Sequence, residues 1–132
     1  MRKSVGAFLG ALLLMGCLAG QAEEKEGKGA AAQYVPLESV LVNLAGRRHY
    51  LRADIQLLVA NGEEAEKVRE HMPAIRHSLI MLLSGRDPEQ VSTVQEREKL
   101  RQEAKGEIRK VLQGFHAGEG LKDLFFTDFM VQ

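Results

Sequence analysis

The alternation of apolar and polar residues is cleanest from Tyr50 to Val59. Leu51, Ala53, Ile55, Leu57 and Val59 occupy every second position, with Arg52, Asp54 and Gln56 between them. Side chains on a strand point to opposite faces in turn, so this run predicts a strand with one buried face. Upstream, Val35 to Leu44 predicts a second strand. Val40, Val42 and Leu44 share one face, and Leu41 and Asn43 lie opposite. Pro36 has no amide to give to a ladder, so it suits the start of a strand or an edge. The five residues Ala45 to His49 are short enough to form a hairpin, with Gly46 supplying any positive φ.

After Asn61-Gly62 the period changes. Val68, Met72, Ile75, Leu79 and Leu82 form one helical stripe across Glu63 to Ser84. Glu63, Glu64 and Glu66 favour the N-terminal end of the dipole. Pro73 interrupts the pattern and predicts either a kink or a fresh helix start, and Gly85 is the expected stop. Arg86 to Gln90 reads as a turn or a short helical turn. Thr93-Val94-Gln95-Glu96 fits a capping box. A second helix follows from Val94 to about Gln113, with Leu100, Ala104, Ile108, Val111 and Leu112 on its apolar face and Phe115 as a candidate extension. Glu98 with Arg101 and Glu107 with Lys110 are i,i+3 pairs on its solvated face. His116 to Gly120 is a loop. Leu121 to Gln132 is the last strand, with Phe125, Thr127, Phe129 and Val131 on one face and Leu124, Phe126 and Met130 on the other. The predicted fold class is α+β: a small three-stranded sheet in the order β-β-α-α-β, with two helices packed on one face. The last strand must pair with the first or the second, and the pattern does not choose between them.

The start of the chain lies outside that fold. Arg2 and Lys3 precede an uncharged run, Val5 to Met15, as in a secretory signal. The run closes in Leu14-Met15-Gly16-Cys17, which resembles the bacterial lipoprotein processing motif. Cleavage there would leave Cys17 as a lipidated N-terminus. Two other readings stay open: an uncut membrane helix reaching Ala22, and ordinary signal cleavage after Gly20-Gln21-Ala22. All three place the domain across the inner membrane, in keeping with the positive-inside rule. The expected organisation is therefore 1–16 signal peptide or anchor, 17–33 linker, and 34–132 folded domain. The linker's charges and glycines give it no core face. If flexible it spans ~22 Å r.m.s., which keeps the domain near the bilayer.

Charge and candidate chemistry narrow the function by exclusion. The formal net charge is zero, and loss of residues 1–16 removes Arg2 and Lys3 but no acid, leaving −2. With no basic stripe, nucleic acid is not an expected partner. A single cysteine rules out an internal disulfide and a cysteine zinc cluster. There is no glycine-rich phosphate loop. His49, His71, His77 and His116 are scattered, and His71 and His77 diverge by roughly 120° around a helix. They read as surface or interface residues. Asp54 and Asp128 lie on strands that could bring them face to face, but no signature marks a paired-carboxylate site. Met72, Met81 and Met130 read as core filler. No catalytic, cofactor-binding or metal-binding residue is expected, and the chain is expected not to be an enzyme.

Several segments together resemble a known family. They are Tyr34-Val35-Pro36-Leu37, Val42-Asn43-Leu44, Arg48-His49-Tyr50-Leu51-Arg52-Ala53-Asp54-Ile55-Gln56-Leu57, Met72-Pro73-Ala74-Ile75-Arg76, Leu82-Leu83-Ser84 and Phe126-Thr127-Asp128-Phe129-Met130-Val131-Gln132. In that order they resemble the flagellar basal-body-associated protein FliL family over roughly Tyr34 to Gln132. The resemblance implies a domain similar to that of stomatin and prohibitin proteins, and a non-enzymatic accessory on the periplasmic side of the inner membrane at the flagellar motor. It implies association with stator subunits and the basal body, self-association into a ring or partial ring, and support for torque, swimming, swarming and chemotaxis. The sequence departs from the family pattern at its start. Members usually keep a clear single-pass helix, whereas here the apolar run stops at Cys17, and Leu18 stands where an Asp commonly retains lipoproteins in the inner membrane. An envelope lipoprotein scaffolding a non-flagellar membrane complex is the alternative reading. Residues for partner or protomer contact are not assigned. The candidates are an exposed sheet edge and the polar face bearing Arg52, Asp54 and Gln56.

Overall fold

A computed structural model describes residues 30–132, Arg47 excepted. The signal segment, Cys17 and most of the linker lie outside the described residues. The elements are β1 (Gln33–Pro36), β2 (Val40–Asn43), β3 (Tyr50–Val59), α1 (Gly62–Glu70), α2 (Met72–Leu83), a 3-10 turn (Pro88–Val91), α3 (Val94–Gly114) and β4 (Leu121–Val131). Among the described residues no helix is long and apolar enough to cross a membrane.

The alternating strand is the centre of an antiparallel sheet. β4 pairs with β3 along its whole length, from Leu51↔Val131 to Val59↔Leu121. β1 and β2 share the other edge of β3, with Gln33↔Val59 through Pro36↔Gln56 and then Val40↔Ala53 through Asn43↔Tyr50. The neighbour left open by the pattern is therefore β3. The single first strand expected at 35–44 is two short ones, and the break has a local cause. Pro36 cannot donate, and Leu37, Glu38 and Ser39 oppose only Asp54 and Ile55. Leu37 N–H still reaches the Ile55 carbonyl at 2.9 Å. This bulge resets the alternation, so that Val35 and Leu37 before it, and Val40 and Val42 after it, all face the core.

β4 uses the same device. The register shifts between Asp54↔Asp128 and Ile55↔Phe126, leaving Thr127 as the extra residue. Phe126 and Phe129 consequently lie on the same side, with ring centroids 5.1 Å apart. This corrects the expected division of the strand. Leu124, Phe126, Phe129 and Val131 pack towards the core, whereas Phe125 and Met130 pair with Gln56 and Arg52 on the outer face.

The three helices α1, α2 and α3 cover one face of the sheet. Pro73 starts a fresh helix rather than kinking a long one. It sits in the first turn of α2, where its missing N–H costs nothing. Asn61 caps α1, its side-chain oxygen accepting from Glu64 N–H at 2.9 Å. Thr93 caps α3 by accepting from Glu96 N–H at 3.1 Å. The buried helical positions are Ala65 and Val68, then Ile75, Leu79 and Leu83, then Leu100, Ala104, Ile108 and Leu112. They meet Leu51, Ala53, Ile55, Leu57 and Val59 of β3 in one apolar cluster that also takes in Val91. Met72 and Leu82 only flank it. Met81 and Met130 are exposed, so of the three methionines read as core filler only Met72 packs there. Phe115 does not extend the stripe. It stacks on His71 with ring centroids 4.0 Å apart, joining the end of α3 to the α1–α2 junction.

Gly118 closes the turn from α3 into β4. Its φ is 101°, and a Cβ there would stand 3.1 Å from the Arg109 carbonyl oxygen and from Leu112 Cβ. Gly118→Ala should lower stability by roughly 1–2 kcal/mol through left-handed backbone strain and crowding. Urea denaturation measures it, and an unchanged midpoint would show that the turn relaxes freely.

Candidate interaction surface

Among the described elements no helix lies on the outer face of the sheet. Tyr34, Leu41, Tyr50 and Met130 there are exposed large apolar or aromatic residues. Between them lie Arg52, Asp54 and Gln56 of β3, so the polar face proposed from the alternation is a mixed one. Tyr34 and Phe125 approach to 6.2 Å between ring centroids. Tyr50 and Gln132 are joined by both backbone and side-chain hydrogen bonds, which tie the C-terminus to the start of β3.

Asp54 and Asp128 are direct cross-strand partners. Both lie on the outer face of the sheet. Asp54 accepts from Ser39 Oγ and lies 3.6 Å from Arg52 Nη2, so its carboxylate is already partnered. Asp128 is exposed on the same open face. His71 stacks on Phe115, and His116 has a φ of 58° in the turn after α3. Among the described residues no group of three or more His, Cys, Asp or Glu is placed to hold a metal.

The strongest electrostatic feature joins α3 to the edge of β4, and the sequence pattern understated it. Arg101 bonds to both carboxylate oxygens of Glu98, at 2.8 and 2.6 Å. It also reaches Asp123 at 2.6 Å and the Leu124 carbonyl at 3.0 Å. The hydrogen bond from Arg101 holds the Glu98 carboxyl down at about 2, with Gln102 assisting. The same bond raises Arg101. At Asp123 burial pushes the carboxyl up, but the Leu124 N–H, Arg101 and Lys105 together outweigh it and hold the group low. The i,i+3 spacing identified the Glu98 pair. Asp123 lies 22 residues further on, and only the packing of α3 against β4 brings it in.

Beside this cluster a shallow groove of about 290 Å³ runs along the β4 edge, lined by Val94, Arg97, Glu98, Arg101 and the rings of Phe125, Phe126 and Phe129. The Arg97 guanidinium lies 4.8 Å from the centre of the Phe129 ring, within cation–π range. Its Nε donates to the Val91 carbonyl at 3.0 Å. None of these groove residues was singled out as a contact candidate by the sequence pattern. The available signal was the apolar spacing of three between Phe126 and Phe129, which marks the bulge.

Comparison with known proteins bears on what such surfaces serve. The family model for flagellar basal body-associated protein FliL matches residues 34–132. The flagellar protein FliL of Aquifex aeolicus (strain VF5) is 31% identical over 94 residues, covering 70% of this chain and 56% of that protein. The chain thus spans little more than half the length of that relative. The family match takes in every described element of the sheet and all the helices that cover it, and the chain belongs to the flagellar basal body-associated protein FliL family.

Proposed function

We propose that this protein is a non-catalytic accessory of the flagellar basal body, held on the periplasmic side of the cell envelope, which acts by binding its neighbours. In this reading it associates with the ion-conducting stator units of the motor and supports torque, and with it swimming, swarming and chemotaxis. Copies assemble as a ring or partial ring that braces the stator. The observation that carries the reading is the family match across the entire folded domain, residues 34–132. A domain whose outer sheet face mixes Tyr34, Leu41 and Met130 with charge is suited to contact rather than to turnover.

Deleting the gene should reduce swimming or swarming, most clearly under viscous load, while filaments still assemble. Pull-down of the membrane-attached protein should bring stator subunits with it. Normal motility under load, with no stator subunits recovered, would remove this reading.

Attachment through a lipidated Cys17 is part of the proposal, motivated by Leu14-Met15-Gly16-Cys17. Cys17→Ser should release or mislocalise the protein and abolish the mass increase from acyl chains. Full membrane retention with no acyl mass on the parent protein would instead support the uncut helix. The same motif favours the second reading, a lipoprotein scaffold for a non-flagellar complex. Flagellar switch or export genes beside this one would argue against that alternative.

A further inference from the structure

The two edges of the sheet are not equally protected. On one side the β1–β2 edge is interrupted by Pro36 and by the bulge at 37–39. Its far end is also engaged: Asn43 accepts from Gly85 N–H at 2.8 Å, and Ala45 donates to the Arg86 carbonyl at 2.9 Å. Such interruptions keep other chains from pairing. On the other side, the outer edge of β4 is guarded only at its start. Arg109 takes the Leu121 carbonyl and Arg101 the Leu124 carbonyl, each at 3.0 Å. Beyond Leu124 the guard ends.

The register shows which groups are then left over. Tyr50 and Gln132 exchange both backbone hydrogen bonds. In an antiparallel ladder such pairs alternate, so the N–H and C=O of Met130 and Asp128 point to β3 and those of Val131 and Phe129 point away. Among the described residues nothing bonds to these outward groups. The groove lies alongside them, offering Val94, which is 78% exposed, and the half-buried Phe126 and Phe129. It also carries one uncompensated charge. Arg101 is neutralised by Glu98 and Asp123, whereas Arg97, whose guanidinium lies over the Phe129 ring in the groove, has no ion pair among the described residues.

We propose that the C-terminal half of β4 is a strand-addition site for an extended segment of another protein, with apolar side chains seated on Val94, Phe126 and Phe129 and a carboxylate on Arg97. The open ladder supplies affinity, and the pockets beside it supply selection at alternate positions. The unpaired guanidinium sets the chemistry: an occupant without an acid would cover it uncompensated. A second copy of this chain is a poorer occupant, because the acid its own groove carries, Glu98, is already bound by Arg101 and brings no free carboxylate to Arg97. Asp128, across from Asp54, stays on the opposite face. The proposal does not depend on the flagellar reading, because it rests on the edge and groove alone.

The test uses the full mature chain and a displayed library of random short peptides, followed by synthesis of the strongest selected peptide. Selected peptides should share alternating apolar residues with an acid among them. Hydrogen exchange should show new protection at the amides of Phe129 and Val131. Val131→Pro removes only an outward N–H, and Arg97→Glu reverses the charge. Each should weaken binding about tenfold or more with the thermal midpoint little changed. Binding unaffected by both variants, protection confined to the Tyr34–Leu41 face, or no shared pattern among selected peptides would overturn the proposal. So would a self-associated state in sedimentation that Val131→Pro dissolves, since that assigns the edge to a second copy.

Discussion

Leu57→Ala should cost about 3–5 kcal/mol of unfolding free energy, a large share of the ~5–15 kcal/mol that holds a domain of this size together. Leu57 is fully buried at the middle of the central strand, flanked by Val35 on one neighbour and Leu124 on the other. Both neighbours are fixed by their own ladder bonds, so collapse around the lost atoms is limited and most of the cavity persists. At ~4–8 °C per kcal/mol, the thermal midpoint should fall by about 12–40 °C. Leu41→Ala is the matched control. It removes the same atoms from the outer face, where Leu41 is 64% exposed, and should cost well under 1 kcal/mol. Chemical denaturation of the two variants, read by circular dichroism, checks the pair. Equal losses would mean that the outer face is covered in solution, for example by a second copy.

That contrast also shows what could be read from the residues alone. β3 was legible because Leu51, Ala53, Ile55, Leu57 and Val59 fall on every second position and Arg52, Asp54 and Gln56 stand between them. α3 was legible because Thr93 marks its start and Leu100, Ala104, Ile108 and Leu112 repeat at a strict four-residue step. The edge strands were harder. Each contains at least one extra residue, β4 two, and an extra residue reverses every later side chain. Phe125 and Phe129 therefore looked like neighbours on one face, when the bulge at Thr127 separates them. The local trace was a step of three between apolar residues, from Leu37 to Val40 and from Phe126 to Phe129. Either step could equally be a fragment of helical period. The Arg101–Asp123 contact had no trace at all, and the groove beside it none beyond the step from Phe126 to Phe129, because they form only when a helix and a strand some twenty residues apart are laid together. The stack of His71 on Phe115 is of the same kind. Surfaces that serve binding are assembled by tertiary contact, whereas the core they stand on is written in periodicity.

Arg101→Ala should be the most costly substitution of any charged residue, at about 2–3 kcal/mol. Hydrogen bonds to charged groups contribute ~1.5–3 kcal/mol apiece, less where solvent screens them. Arg101 makes such bonds to Glu98 and Asp123 while its side chain is only 19% exposed. Its removal leaves Asp123 with Lys105 at 3.7 Å as its remaining ion pair, and it strips the guard from the Leu124 carbonyl. The loss should depend on pH in a defined sense. Glu98 is held at about 2, against an ordinary value of 4.5, and Asp123 is also held low. A carboxyl depressed in the folded state stabilises fully above its unfolded value and loses that contribution as pH falls through its folded one. The parent protein should thus lose stability progressively between pH 4.5 and about 2, and the Arg101→Ala profile should be flatter across that window. Glu98 is more than half exposed, so added salt should shrink the difference. Unfolding free energies of both proteins, measured from pH 7 to pH 2 at low and high salt, decide it. Parallel profiles would show that the cluster contributes packing of the arginine stem over Phe125, 5.8 Å from the guanidinium carbon to the ring centre, and little through its charge.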